Sequence, residues 1–317
     1  MRAVQCAEFG EPEVLRLVEL SIPEPGVDEL LIRVAAAGVN FTDVHRRNGT
    51  HLSPTQLPAV FGVEVTGERT DTGERVLAFV GSGGYAEYAI ARRHLVYPLP
   101  RDVPDAIALA LCTQGLTALE TLRRSAFVRS GESVAIHAAA GGVGSLAVQI
   151  ARALGAGRVI GTASTEAKRA LAAELGADVA IDGVAEGLTE RLLEANRGNA
   201  IDVILEMAGG ATFSQSLLAL APFGRLVAYG IASGVDCTLR SSELMTSSRG
   251  VLGFWIPDLI RRRDWVLEGL GDLLRMHSDG LLRVIEGGIF PLEEAARAHA
   301  EVEGRRTVGK VMLDVRR

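Results

Sequence analysis

The sequence predicts an α/β protein in which a doubly wound parallel sheet is joined to a second, β-rich domain. Two observations predict this fold class. From Ser133 onward, short β runs alternate with helical stretches of roughly 10–15 residues, which is the pattern of βαβ units and a parallel sheet. Up to about residue 112 the apolar runs are short, often alternate, and are separated by Gly and Pro, which is typical of an irregular strand-rich domain.

The strands of the front part are predicted from alternating apolar runs. Three examples are ELLIRVAAAGV from Glu29, GERVLAFV from Gly73 and YAEYAIA from Tyr85. The last segment of the chain, from Ile289 to Val315, is predicted to be a helix followed by a strand that returns to this first domain.

The elements of the alternating part follow in order from Ser133. A β run at Ser133–His137 leads into glycines and then into a helix. The helix carries one continuous apolar stripe, and Gly155 stands where a C-terminal glycine cap belongs. The stripe consists of Val143, Leu146, Ala147, Ile150, Ala151 and Leu154. The further predicted elements are strands Arg158–Thr162, Val179–Ile181, Ile201–Leu205, Arg225–Tyr229 and Val251–Phe254, and a helix Thr165–Leu175 that Gly176 ends.

Composition excludes several classes of protein. The 317 residues carry a net charge of −6, so the chain lacks the basic character of a general nucleic-acid binder. The three cysteines, at 6, 112 and 237, lie far apart, which excludes a disulfide framework and a four-thiolate zinc site. Glycines interrupt the longest uncharged run, and the N-terminus has no apolar core of a signal peptide. We therefore expect a soluble, cytoplasmic protein without membrane contact.

The strongest motif is HAAAGGVGSLAVQIAR, from His137 to Arg152. Ala138, Gly141 and Gly144 give the spacing A-x-x-G-x-x-G, a variant of the dinucleotide-binding fingerprint between a strand and an amphipathic helix. Such a turn brings backbone N–H groups to a pyrophosphate at the helix N-terminus. The predicted pyrophosphate-binding residues are Ala140, Gly141, Gly142, Val143 and Gly144. The alternative is a glycine-rich turn without a ligand.

The end of the second strand of this sheet favours NADP(H) over NAD(H). An NAD site usually has Asp or Glu at that point, whereas this sequence has Gly-Thr-Ala-Ser ending at Ser164. Ser164 and Lys168 are predicted to bind the 2′-phosphate by a hydroxyl donor and a positive charge. The alternatives are a helix N-cap for Ser164 and a solvated charge for Lys168.

Several segments together resemble one known family. SGESVAIHAAAGGVGSLAVQIAR, from Ser130, is similar to the signature of the quinone oxidoreductases, the zinc-independent branch of the medium-chain dehydrogenases/reductases that includes zeta-crystallin and enoyl reductases; Ala135 replaces the usual Leu. Further similar segments are AAAGVNFTDVHRRNG from Ala35, GVEVTG from Gly62, GGYAEYAI from Gly83, QGLTALETL from Gln114, PFGRLVAYG from Pro222 and RRTVGKVML from Arg305.

This resemblance implies a two-domain architecture. A GroES-like catalytic domain would comprise residues 1–113 and 257–317, around a Rossmann domain at 114–256, with the active site in the cleft between them and a homodimer formed edge to edge. It also implies a reductase that delivers hydride from NADPH to a conjugated carbonyl acceptor: a quinone, an enone or an enoyl thioester, including a CoA or carrier-protein thioester. The alternative is a non-catalytic NADPH-binding scaffold protein of the same superfamily.

The resemblance also bears on metal. Related zinc dehydrogenases need Cys and His ligands, but the corresponding positions here resemble Asn40 and Val63, with Glu64 beside them and Cys112 close to a third. We therefore predict no metal, and interpret Cys112 as a small buried side chain. Glu64 is interpreted as the remnant of the metal shell, held by a basic partner.

Two side chains of the Ala35 segment are predicted to be catalytic. The Asn40 amide is a candidate donor to the acceptor's carbonyl oxygen, and a turn or capping role is the alternative. His45 stands where relatives often have a Tyr that faces the substrate, and its imidazole is a candidate proton donor. A structural hydrogen bond is the alternative for His45.

Other residues are predicted to line the cofactor. Gln114 and Thr117 lie at the entry to the Rossmann domain, and Gly183 departs from a family Tyr near the adenosine phosphate. Trp255 is predicted to cover the nicotinamide or the substrate, with an aromatic core residue as the alternative. Lys310 is predicted to reach the 2′-phosphate, with a solvated charge as the alternative. The remaining predicted residues follow the fifth and sixth strands: Gly230, Ile231, Ala232 and Phe254.

Overall fold

The computed structural model describes residues 1–316, which form two compact units. Unit 1 contains Met1–Thr113, Arg263–Leu267 and the C-terminal segment from Ile285. Unit 2 contains Gln114–Arg262 and Glu268–Val284. Each unit has its own buried apolar core.

Unit 1 is built mainly from antiparallel strands. Its larger sheet has the order β15-β16-β3-β5-β6-β8, with β7 paired to β3, and a smaller sheet has the order β2-β1-β4. The strands are β1 Arg2–Cys6, β2 Leu15–Glu19, β3 Glu29–Val39, β4 Ala59–Val60, β5 Glu64–Arg69, β6 Arg75–Phe79, β7 Tyr88–Arg92, β8 Val96–Pro98, β15 Glu286–Pro291 and β16 Lys310–Asp314. The helices are α1 Phe41–Arg47, α2 Asp105–Leu109 and α11 Ala295–Glu303.

The register of three neighbouring strands places polar residues at one end of the larger sheet. In the pairing of β3 with β5, Ala37 lies opposite Val65. In the pairing of β3 with β16, Val39 lies opposite Val311. The end of β3, the start of β5 and the start of β16 therefore meet, although they are far apart in the sequence.

Unit 2 is a six-stranded, wholly parallel sheet with helices in its connections. Its order is β11-β10-β9-β12-β13-β14, which is the doubly wound Rossmann order. The strands are β9 Ser133–Ile136, β10 Arg158–Ala163, β11 Val179–Asp182, β12 Ile201–Glu206, β13 Leu220–Ala228 and β14 Gly250–Gly253. The helices are α3 Leu116–Glu120, α4 Gly142–Ala153, α5 Glu166–Glu174, α6 Leu188–Ala195, α7 Gly210–Ala219, α8 Ser241–Ser247 and α9 Ile256–Leu259; α10 Arg263–Ser278 begins in unit 1 and continues in unit 2.

The predicted fold class is confirmed. The strands predicted from Ser133 onward match β9 to β14, and Gly155 has the positive φ of a C-terminal helix cap. Two details were not predicted: β13 begins five residues early, at Leu220, and β15 precedes the last helix. Within residues 1–316, no helix combines the length and the apolar character that crossing a membrane requires.

Candidate functional site

The glycine turn of unit 2 connects β9 to α4 at the carboxyl edge of the sheet. Ala138 adopts a left-handed conformation with φ +49°, and the Gly141 N–H donates to Ala138 O at 2.8 Å, which closes the turn. Gly141 is the N-cap, and the first intrahelical hydrogen bond runs from Ser145 N–H to Gly141 O. The N–H groups of residues 142–144 therefore lie at the helix N-terminus, where an anionic group is favoured.

Gly144 is required by the close approach of α4 to the turn. A Cβ at this position would overlap the Ala138 carbonyl oxygen and lie 2.8 Å from Ala139 Cα. Both obstacles are backbone atoms, which a side chain cannot displace at low cost. The last glycine of the predicted fingerprint thus has the packing role that the spacing indicates.

His137, the first residue of the turn, is held by two side-chain hydrogen bonds. Its Nε2 lies 2.7 Å from Ser216 Oγ and its Nδ1 3.0 Å from Thr162 Oγ1. Since the Ser216 hydroxyl donates its proton to Thr212 O, His137 must donate to Ser216 from Nε2 and accept from Thr162 at Nδ1. The ring is buried, and burial lowers the pKa of His137 to about 4. This neutral ring ties β9 to β10 and α7.

Gln114 and Thr117 lie on the chain that enters unit 2. The Gln114 amide packs directly on the start of α4. The contact is so close that a Cβ at Gly142 would overlap the amide. Thr117 is buried, with only 6% of its surface exposed. The structure thus brings Gln114 to the predicted turn, with the mostly buried Thr117 about one helical turn further along the chain.

The end of β10 carries the residues predicted to bind the 2′-phosphate. Ser164 is exposed and Lys168 is half-buried. Thr165, not Ser164, is the N-cap of α5: its hydroxyl accepts a hydrogen bond from the Lys168 backbone N–H at 3.3 Å. Arg169, which was not among the predicted site residues, donates to Ala163 O at 3.2 Å. The sequence signal that could have singled out Arg169 is its position directly after Lys168, close to the end of β10.

The loops after β13 and β14 lie at the same carboxyl edge. The Ala232 N–H donates to Met207 O at 2.8 Å, which fixes the loop that contains Gly230 and Ile231 against the end of β12. The Phe254 N–H donates to Ala228 O and continues the pairing of β14 with β13. Trp255 is 36% exposed, which contradicts the alternative of an aromatic core residue.

A buried polar cluster occupies the meeting point of β3, β5 and β16 in unit 1. Lys310 and Glu64 form an ion pair in which the side chains are 1% and 0% exposed. Asn40 lies between them: its Nδ2 donates to Glu64 Oε1 at 2.8 Å, and its Oδ1 accepts from Lys310 Nζ at 3.0 Å. The Thr113 N–H donates to the second Glu64 oxygen at 2.8 Å.

This cluster corrects the prediction for Lys310. We predicted a contact with the 2′-phosphate, or else a solvated charge, but the ammonium is buried on Glu64 and Asn40. The basic partner expected for Glu64 is therefore Lys310. Local sequence could not show this contact, since the two residues are 246 positions apart.

Charge and hydrogen bonding set the ionisation of this cluster. Burial acts to raise the pKa of Glu64, but the Lys310 charge and the hydrogen bonds from Lys310, Thr113 and Asn40 outweigh it, so the pKa lies below its usual range. Asp43 accepts from the Asn40 and Gly62 N–H groups, and burial raises its pKa to about 6. At neutral pH Glu64 is thus ionised, and Asp43, with a pKa of about 6, is mostly ionised as well.

The donor set of the cluster does not fit zinc. Of the zinc-binding side chains near the predicted position, Glu64 is held by an ammonium, the Asp43 carboxylate accepts two backbone N–H groups, and the third is the buried Cys112 thiol. Burial and the nearby Glu64 charge raise the pKa of the Cys112 thiol well above its usual value. Within residues 1–316, three or more His, Cys, Asp or Glu side chains nowhere come together as metal ligands.

His45 lies in α1, one turn after Asn40. Its Nδ1 is 2.7 Å from Thr50 Oγ1, and its ring meets Phe41 edge-on with centroids 5.1 Å apart. Nε2 is buried and has no hydrogen-bond partner in the described part of the chain. Burial, with a smaller contribution from His51, lowers the pKa of His45.

Comparison with known families assigns each half of the chain. Residues 26–101 match the alcohol dehydrogenase GroES-like domain, and residues 142–268 match the family described as zinc-binding dehydrogenase. The second family is named for zinc although the cluster described above lacks a zinc donor set.

Known proteins are similar to the chain over nearly its whole length. A quinone oxidoreductase of Pseudomonas aeruginosa is 36% identical over 325 residues, which cover 98% of this chain and 99% of that protein. The structure of Escherichia coli quinone oxidoreductase complexed with NADPH superposes with a TM-score of 0.93 at 30% identity, covering 99% and 100% of the two chains. That of the Thermus thermophilus quinone oxidoreductase, also solved with NADPH, has a TM-score of 0.87 at 36% identity, with coverages of 99% and 100%.

Proposed function

The chain belongs to the quinone oxidoreductase family of the medium-chain dehydrogenases/reductases, and from that membership we propose that it is an NADPH-dependent reductase of quinones and related conjugated carbonyl compounds. The observation that carries the proposal is the glycine turn at 138–144, whose helix N-terminus suits a pyrophosphate. Relatives of similar length solved with NADPH support the choice of cofactor.

In this proposal, unit 2 holds the cofactor. The backbone from Ala140 to Gly144 would bind the pyrophosphate, and Ser164 and Lys168 the 2′-phosphate. Gln114, Thr117, Trp255 and the loop at Gly230 to Ala232 are proposed to line the rest of the cofactor, with Phe254 beside Trp255. When bound, NADPH supplies a hydride.

Unit 1 contributes the groups proposed to act on the acceptor. Reduction of a conjugated carbonyl places negative charge on the carbonyl oxygen, which a hydrogen-bond donor stabilises. Asn40 is proposed to bind that oxygen through its amide, held in place by Glu64 and Lys310. His45 is proposed to supply the proton that completes the reduction, which requires its Nε2 to be protonated first.

We propose that the reaction uses no zinc. The support is the donor set of the cluster, in which the Lys310 ammonium holds Glu64 and the neighbouring position carries an amide. Chelator treatment of the purified protein should leave its turnover unchanged. Stoichiometric zinc that survives this treatment, or activity that returns only with zinc, would contradict the proposal.

A homodimer is part of the proposal. β14 is the last strand of the parallel sheet, so one of its edges has no strand beside it in unit 2. Leu252 on β14 and Met245 before it are 37% and 77% exposed, which supports pairing with a second copy at this edge. Light scattering on the purified protein should give twice the mass of 33.6 kDa.

A panel of acceptors tests the function. Loss of NADPH absorbance is measured with a quinone, an enone and an enoyl thioester of CoA, and the Kd of NADPH is measured separately. We expect turnover with the quinone to be highest. If every acceptor fails although NADPH binds tightly, the protein is a scaffold, and if NADPH does not bind, the assignment of the glycine turn is wrong.

A further inference from the structure

Lys310 and Glu64 are both hydrogen-bonded to the side-chain amide of Asn40. We propose that they are positioning residues that hold this amide in one of its two orientations; the inference rests on the proposed role of Asn40 at the acceptor. An Asn side chain has nearly the same shape in both orientations, so only its hydrogen-bond partners distinguish oxygen from nitrogen.

The partners of Asn40 are charged and opposite in sign. The carbonyl oxygen Oδ1 faces the Lys310 ammonium at 3.0 Å, and the amide nitrogen Nδ2 faces Glu64 Oε1 at 2.8 Å. A rotation of the amide by half a turn would place donors against the ammonium and an oxygen against the carboxylate. Both contacts would then be repulsive, so the pair fixes where the amide N–H groups of Asn40 point.

The surroundings of the pair are shaped to keep it in place. Glu64 is anchored a second time by the Thr113 N–H, and Asn40 a second time by Asp43, which accepts from the Asn40 backbone N–H at 3.0 Å. A Cβ at Gly38 would overlap the Glu64 carboxylate and lie 2.7 Å from Lys310 Nζ, so this glycine leaves room for the pair.

The composition of the chain also singles out position 310. Lysine occurs only twice, at 168 and 310, while the chain has 33 Lys and Arg residues in all. Arginine carries a larger, planar group that presents its donors in a fork, whereas an ammonium is a compact point donor. The space between Glu64, Asn40 and Gly38 fits the ammonium, which explains a lysine here in a chain where all but two of the 33 Lys and Arg residues are arginine.

A buried ion pair is not needed for stability alone. Replacing both charges of such a pair by neutral groups is often tolerated, whereas removing one charge leaves the other buried and unpaired. We infer that this pair acts on the orientation of Asn40. The variants to test it therefore change both charges together.

The test is a mutant cycle in the intact protein. We expect the double variant E64Q/K310M to fold and to bind NADPH with a Kd within about twofold of the wild type, while kcat with the quinone falls on the order of 10- to 100-fold. N40A should lose a similar factor. Combining the three changes should cause little further loss, because the pair acts through Asn40. Independent, multiplicative losses would overturn the proposal, since they would show that the pair acts without Asn40.

A matched control comes from a second ion pair. Arg225 and Glu132 in unit 2 form a mostly buried pair at the amino ends of the parallel strands, the end opposite the predicted cofactor edge. E132Q/R225M should lower the melting temperature but leave kcat near the wild-type value. A loss of kcat equal to that of E64Q/K310M would show a general effect of removing a buried pair and would contradict the inference.

Two further measurements keep the inference separable from the proposed function. With only two lysines, the side-chain ammonium signals of ¹⁵N-lysine-labelled protein report Lys310 directly, and its protons should exchange slowly in the wild type and faster in N40A and E64Q.

If E64Q/K310M does not fold, G38A displaces the pair while both charges remain, and the same loss of kcat without loss of NADPH binding is expected. If N40A retains full turnover, the proposed role of Asn40 is wrong, whatever the pair does to its amide.

Discussion

His45 donates its Nδ1 proton to Thr50. The two atoms, Nδ1 and Oγ1, are 2.7 Å apart, and the Thr50 hydroxyl gives its own single proton to Asn48 Oδ1, also at 2.7 Å. Thr50 can therefore only accept from His45. The neutral ring thus carries its proton on Nδ1 and a lone pair on the buried Nε2. A proton delivered from Nε2 requires the imidazolium form.

This tautomer gives a pH dependence for the proposed proton donor. Burial lowers the pKa of His45 below 6.5, so above that pH the imidazolium fraction falls up to about tenfold per pH unit. If His45 supplies the proton, kcat with an enone should rise as the pH falls from about 8 to about 6. H45F should be slower, lack this slope and bind NADPH normally. Identical slopes in both proteins would remove His45 from the reaction, and H94F, at an exposed histidine of unit 1, is the control.

Replacing Gly144 tests the glycine turn. In G144A the new Cβ overlaps the Ala138 carbonyl oxygen, so α4 must move away from β9. We expect the Kd of NADPH to rise on the order of 100-fold, with a stability loss of about 2 kcal/mol. G271A in α10 is the control, because a Cβ there meets nothing within 4 Å and alanine favours a helix. Calorimetric titration gives the Kd, and normal binding by G144A would contradict the proposed pyrophosphate site.

The choice between NADPH and NADH is tested at Lys168. A charge-assisted contact to a partly exposed phosphate contributes about 1–2 kcal/mol, so K168Q should weaken NADPH binding roughly tenfold and leave NADH binding unchanged. R158Q also removes one positive charge, but at the start of β10, whereas Lys168 follows the end of that strand. This control should not alter the ratio of the two dissociation constants. An unchanged ratio in K168Q would mean that Lys168 does not read the 2′-phosphate.

The sheet of unit 2 could be predicted because its signals are local. The apolar run of β9 and the stripe of α4 lie within 21 residues of each other, and Gly155 ends the helix where the sequence indicates. β15 escaped prediction because Gly287 and Gly288 interrupt its apolar pattern and Pro291 ends it. Alternation of apolar residues cannot identify a strand of that composition.

The site was predictable in part. The resemblance predicts a basic partner for Glu64, but which residue it is cannot be predicted, because Lys310 reaches Glu64 only through the pairing of β16 with β3. The alternative of Ser164 as the N-cap of α5 is wrong by one residue, since Ser164 and Thr165 are both good N-caps and only backbone geometry decides between them. The tautomer of His45 depends on hydroxyl protons, which no sequence pattern specifies.

The buried His137 predicts how the protein responds to mild acid. In the unfolded chain the ring takes up a proton near pH 6.5, but in the fold burial lowers its pKa to about 4, so protons bind preferentially to the unfolded state between these values. Stability is therefore complete above about pH 6.5 and declines as the pH falls, by about 2 kcal/mol at pH 5 from this group alone. His299, whose pKa burial lowers to about 3, acts in the same direction.

H137Q, which cannot take up this proton, should show a shallower decline in the free energy of unfolding by urea between about pH 6.5 and 5. The exposed His94 gives the control H94Q, which should keep the wild-type slope. If H137Q and the wild type declined in parallel, His137 would not remain neutral in the folded protein, and its donation to Ser216 would need to be reassigned.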